Sequence, residues 1–156
     1  MIDARLNELF KNRGFISMAT CDLECRPNAA PKFLLKVEHG FIYLSDYIVG
    51  KTWKNLLVNP RASLSFIDTD TLVGYQINTA AEIIEKGPEY NKIVKELLQR
   101  QIDLSTRRII EGVTKGKAHA GFEVGISDKF VVLKLKIEEI VELGTSGAIK
   151  RNKIKT

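Results

Sequence analysis

The chain is poor in cysteine, histidine, tryptophan and proline, and it has no long apolar run. Among 156 residues there are two cysteines, two histidines, one tryptophan and four prolines. Cys21 and Cys25 flank Asp-Leu-Glu in what reads as a turn. Two thiolates cannot complete a tetrahedral zinc site, and neither His39 nor His119 stands at ligand spacing from them. In a reducing compartment a disulfide across that turn is not expected. No stretch approaches the roughly 20 consecutive apolar residues of a membrane helix. The opening decapeptide MIDARLNELF carries acids and no apolar signal core, so a cytoplasmic protein is the expectation. Excess charge is scarce too once it is located. The net charge is +5, and Lys150, Arg151, Lys153 and Lys155 place +4 of it in residues 145–156, leaving +1 for the other 144. Such a body lacks the basic face of a dedicated nucleic-acid domain. Its phenylalanines fall in apolar runs rather than interleaving with basic residues, which argues against a barrel that stacks on nucleic acid.

What remains is an ordinary soluble composition, 44% apolar and 28% charged. The expectation is one domain over 1–144 and a basic, flexible tail over 145–156. Ile2, Leu6, Leu9 and Phe10 form a stripe at helical spacing and predict a short N-terminal helix. Strands are predicted at 15–20, 28–37, 40–46, 61–68 and 73–84, with a short helix at 50–58 between the third and fourth. Gly87-Pro88 opens a long helix predicted over 88–112, since proline suits the first helical position. Further strands are predicted near 118–125 and from 130 onward. In the last, Val131, Leu133, Leu135 and Ile137 alternate with Lys134, Lys136 and Glu138, the pattern of a sheet buried on one face. Pro31 removes one ladder donor from the second strand, which implies an edge, a bulge or a backbone turned toward a ligand. The class is mainly β with α: a six- to seven-stranded antiparallel split β-barrel.

The most informative stretch is IYLSDYIVGKTWKNLLVNPRASLSF at 42–66. An apolar strand runs into Gly50-Lys51-Thr52 at the start of a helix. Free N–H groups and the helix dipole there favour an anion. Lys51 adds a compact positive charge and Thr52 a hydroxyl, a set suited to phosphate.

With GFISMAT at 14–20, RPNAAPKFLLKV at 26–37 and GYQINTAAEI at 74–83, this stretch resembles the FMN-binding split barrels related to pyridoxamine 5'-phosphate oxidase. The likeness covers roughly residues 6–143. It implies an FMN cofactor at the interface of a homodimer, and an oxidoreductase that passes electrons or hydride to a small molecule. It assigns Gly50, Lys51 and Thr52 to the phosphate, Ser45 and Asp46 to the ribityl side, Ala29, Ala30, Pro31 and Lys32 to the ring, and Gln76 to a further ring contact. Lys32 would stand at the ring's N1–O2 edge, or otherwise face solvent as a plain strand lysine. Two departures matter. Gly50 stands where true pyridoxamine phosphate oxidases have a basic residue, and residues 130–156 hold no arginine-x-histidine segment. Vitamin B6 oxidation is therefore not expected. The alternatives are an electron carrier or FMN store, and relatives that take a deazaflavin or haem. Haem would need an axial ligand from His39 or His119.

Overall fold

Alternating side chains wrap one sheet around one core. The structure, a computed structural model, describes residues 2–10, 14–99 and 129–154. Among these, the elements are α1 (Ile2–Phe10), β1 (Phe15–Cys21), β2 (Pro27–Glu38), β3 (Phe41–Tyr47), α2 (Lys51–Val58), β4 (Arg61–Asp68), β5 (Val73–Ile84), a helix α3 at 88–99, β6 (Phe130–Leu143) and β7 (Ile149–Lys153). The chain forms two compact units, one of Met1–Ile84 with Lys129–Thr156 and one of Glu85–Asp128. The expected helix residues 100–112 and the expected strand near 118–125 lie outside the described residues, as does His119.

The strands are antiparallel in the order β3-β2-β1-β4-β5-β6-β7, and a further β3–β6 ladder closes the first six into a barrel. Closure removes the open edges that an antiparallel sheet would otherwise expose. Period-two alternation sends Ile16 and Met18 of β1, Ile42 and Leu44 of β3, Leu64 of β4, Ile77 of β5 and Leu133 and Leu135 of β6 into one core. Leu6 and Phe10 of α1 are buried in the same cluster, as their spacing predicts.

Two features depart from the sequence reading. Residues 149–153, expected in a flexible tail, form strand β7 on β6, from Glu139↔Lys153 to Leu143↔Ile149. This is possible because β6 outruns β3. The β3 ladder covers β6 only up to Lys136, so the last turn of that edge is open to another strand. The second feature is a bulge. Asn78 pairs with Glu139 and Thr79 with Ile137, so Glu138 is an extra residue in β6. Without it the alternation would turn Glu139 inward with Ile137; with it Glu139 faces outward beside Asn78.

Candidate functional site

Helix α2 closes one end of the barrel, and its polar anchors explain its placement. Asn55, buried on α2, donates from Nδ2 to Thr20 Oγ1 at 3.1 Å. Asn28 Nδ2 donates to Thr52 Oγ1 at 3.1 Å. Asn28 and Thr20 are opposite one another in the β1–β2 ladder, so the two bonds tie the helix to adjacent strands. At the far end Asn59 donates to the Cys21 carbonyl and lies 3.2 Å from its Sγ. Cys21 and Cys25 are both unpaired thiols.

The start of α2 carries no side-chain cap. Gly50 is extended at the N-cap position, accepts from Lys54 N–H at 3.2 Å and has no side chain with which to cap the helix. Lys51 is half exposed, and its Nζ lies 3.3 Å from Asp22 Oδ2. Asp22 organises the β1–β2 turn. Its Oδ1 accepts the N–H groups of Glu24 and Arg26, and its Oδ2 accepts Arg26 Nε at 2.8 Å. The backbone N–H of Arg26 foremost, then the Arg26 and Lys51 side chains, hold the Asp22 carboxyl well below the usual carboxylate range. Thr52 is turned into the barrel end and is 1% exposed, so its hydroxyl is engaged with Asn28 beneath the helix.

Beside this start lies a buried ion pair. Lys32 Nζ donates to Asp46 Oδ1 at 2.7 Å, with both side chains about nine-tenths buried. Lys32 is therefore not a solvent-facing strand lysine. Asp46 Oδ2 is buried with no hydrogen-bond partner among the described residues. A side chain at Gly50 would come within 3.7 Å of Asp46 Oδ1, so the carboxylate lies against the turn that opens α2. Ser45 and Asp46 are successive strand residues and face opposite sides of the wall, Ser45 outward and Asp46 inward. On β2, Ala30 and Lys32 face inward while Ala29 and Pro31 face out. The β2–β3 ladder begins only at Phe33, so Pro31 sits where β2 has no partner on that side, which is the local edge its missing N–H requires.

Gln76 is not part of this cluster within one chain. Register runs Pro31↔Ser17, Ser17↔Ser65 and Ser65↔Gln76, three strand spacings or about 14 Å of sheet. The outer surface between them is paved with small residues, Ala19, Ser17, Ser63 and Ser65. A cavity of about 450 Å³ opens over this floor, lined by Ala19, Cys21, Pro27, Arg61, Ser63 and Asn78 among others. Arg61 and Glu138 form an ion pair at its side. Sequence reasoning missed Asp22, Asn28 and Asn55. The turn signal at Asp22 was present, but its reach to Lys51 depends on the fold.

The comparisons agree with this architecture. The chain belongs to the pyridoxamine 5'-phosphate oxidase family, whose profile matches residues 2–144. An uncharacterized protein of Methanocaldococcus jannaschii is 33% identical over 85 residues, which are 53% of this chain and 56% of that protein, so the match spans little more than half the relative. A Clostridium acetobutylicum protein related to general stress protein 26, of the pyridoxinephosphate oxidase family, superposes with a TM-score of 0.67 at 18% identity, covering 97% of this chain and 93% of that one. A pyridoxamine 5'-phosphate oxidase-related, FMN-binding protein of Nostoc punctiforme gives 0.58 at 10% identity, covering 98% and 94%. At these identities the two structures show a shared fold.

Proposed function

We propose that the protein is an FMN-binding flavoprotein, working as a homodimer, that passes electrons or hydride between a small-molecule donor and acceptor. The observation that carries the reading is the uncapped start of α2 with Lys51 above it and a buried, half-satisfied Asp46 beside it. This chemistry fits a phosphorylated polyol. N–H groups of the first turn and the Lys51 ammonium suit the phosphate, and Asp46 Oδ2 lacks the donor that a sugar-chain hydroxyl would supply. FMN, when bound, supplies the redox chemistry at its own ring.

The chain's residues bind, orient and exclude water. Lys51 exchanges Asp22 for the phosphate. Thr52 holds α2 down through Asn28 and offers its backbone N–H. Gly50 keeps the approach open. Lys32 neutralises Asp46, so that the carboxylate does not repel the cofactor's phosphate. Ala29 and Pro31 offer a low outer surface for the ring, near Ser45. Gln76, some 14 Å away in the same chain, reaches a ring only across an interface, which supports the dimer. Outward apolar residues suit that interface: Phe15 and Phe33 meet edge-on at 5.5 Å, and Ile67, Gly74, Leu143 and Ile149 form one cross-strand row. Titration of the purified chain with FMN tests the proposal, with saturable quenching of flavin fluorescence expected and its absence counting against it. Reduction of the bound flavin by a nicotinamide nucleotide separates an enzyme from an electron carrier, which would be reduced slowly and reversibly.

A further inference from the structure

The cavity of about 450 Å³ on the outer wall has the volume of a small-molecule site and a chemically one-sided lining. Ala19, Ser63 and Asn78 are cross-strand neighbours, so its floor is low and about 10 Å across. The polar groups around that floor hold unspent donors. Arg61 gives Nη1 to Glu138, which leaves the Nε and Nη2 edge of the guanidinium, a fork matched to a carboxylate. Asn78 spends one amide N–H on Glu139, while its Oδ1 is taken by Gln76 Nε2, so a second N–H remains. Cys21 Sγ accepts from Asn59 and keeps its S–H. Thr79 has nothing left to give, since its hydroxyl donates to the Ala62 carbonyl. Glu138 supplies the one negative charge among the described lining residues. The bulge accounts for its place there. Bulges gather beside binding sites because they re-aim side chains. Here the extra residue lets β6 present two successive carboxylates outward, Glu139 to Asn78 and Arg151, and Glu138 to Arg61. The interrupted ladder thus holds an arginine at the cavity's side by one nitrogen only.

We propose that this cavity binds a small organic carboxylate with a flat apolar body. The carboxylate takes the Arg61 fork and the body lies on the floor of Ala19 and Ser63. Glu138 orients Arg61 through Nη1 and limits the affinity by its own charge. The site is argued from donors, shape and charge, without reference to a cofactor. That its occupant is a redox substrate rests on the flavin reading, because Ala19 is directly opposite Ala29, over which the ring would lie.

The test uses the full chain as purified and three probes, benzoate, benzamide and acetate, with binding read by calorimetric titration. Benzoate should bind with a dissociation constant of about 1 mM, as suits so small a ligand. Benzamide lacks the charge and acetate lacks the body, so each should bind about tenfold more weakly. Arg61→Met removes an exposed head group and should weaken benzoate about tenfold with an unchanged melting temperature. Glu138→Gln keeps an acceptor for Nη1 but removes the charge, and should tighten benzoate about threefold. An ion pair that served the fold alone would move the melting temperature and leave the benzoate affinity where it was. No benzoate binding by the unmodified protein, acetate bound as well as benzoate, or no tightening in Glu138→Gln would overturn the site. Repeating the titration with added FMN separates the two claims. Benzoate and FMN should bind together, and mutual exclusion would overturn the substrate role. Benzoate bound by a protein that refuses FMN would leave the site and remove the flavin reading, whereas FMN bound without benzoate would remove the site alone.

Discussion

Lys51 is the residue on which the phosphate reading turns. Lys51→Ala should raise the FMN dissociation constant about ten- to a hundredfold, from the loss of one charge-assisted contact of about 1.5–3 kcal/mol. The fold should persist, because Lys51 is half exposed; a flavin titration beside a thermal melt reads both. Lys32 and Asp46 behave oppositely. Asp46→Asn leaves a buried ammonium without its counter-charge and should cost about 3–5 kcal/mol in chemical denaturation, while the double change Lys32→Met with Asp46→Leu should restore most of it. Neither partner's role was legible in sequence. Fourteen residues separate them, and only the β2–β3 register, Phe33↔Ser45 and onward, places them side by side. The position of Lys51 at a helix start was legible because it is set locally: a strand, a glycine and a helix start lie within ten residues.

At the scale of elements, the β1–β2 turn and α2 act together. Asn55 is buried and bonded to Thr20, so Asn55→Ala leaves the helix loosely seated and should cost about 1–3 kcal/mol, read as a lower denaturation midpoint. The turn gives a pH prediction. The folded Asp22 titrates well below its unfolded value of about 3.9, so its contribution is complete above that value and is lost as acid is added below it. Protection of the Glu24 and Arg26 amides against exchange, taken relative to the intrinsic rate at each pH, should therefore be steady from pH 7 to about pH 4.5 and fall below about pH 4; a loss of protection already near pH 6 would contradict the assignment. Element boundaries were largely readable where period two is strict. β4 and β5 begin and end where their alternation does. The C-terminal segment was not, since KRNK carries charge and no apolar rhythm. It becomes a strand because β6 leaves an open edge, a property of a different segment. The Glu138 bulge was equally hidden, as Ile137-Glu138-Glu139-Ile140 reads as plain alternation with one slip.

At the scale of the molecule, a closed barrel needs no further strand, yet its outer wall keeps Phe15, Phe33, Ile67, Leu143 and Ile149 more than two-fifths exposed. That surface suits a second copy, which would also carry Gln76 to the flavin of the first. Light scattering should give about twice the chain mass. Phe15→Lys should shift the protein toward monomer and weaken FMN binding with it, whereas a monomeric variant that binds FMN undiminished would remove Gln76 of the second copy from the site.

The most direct measurement is the visible absorption spectrum of the freshly purified protein, with mass identification of whatever heat releases. An FMN-binding protein will be yellow as purified and release FMN, or be colourless and keep about one equivalent of added FMN per chain after free flavin is removed by desalting. A colourless protein that refuses FMN would contradict the FMN reading, and the family fold would then serve some other ligand.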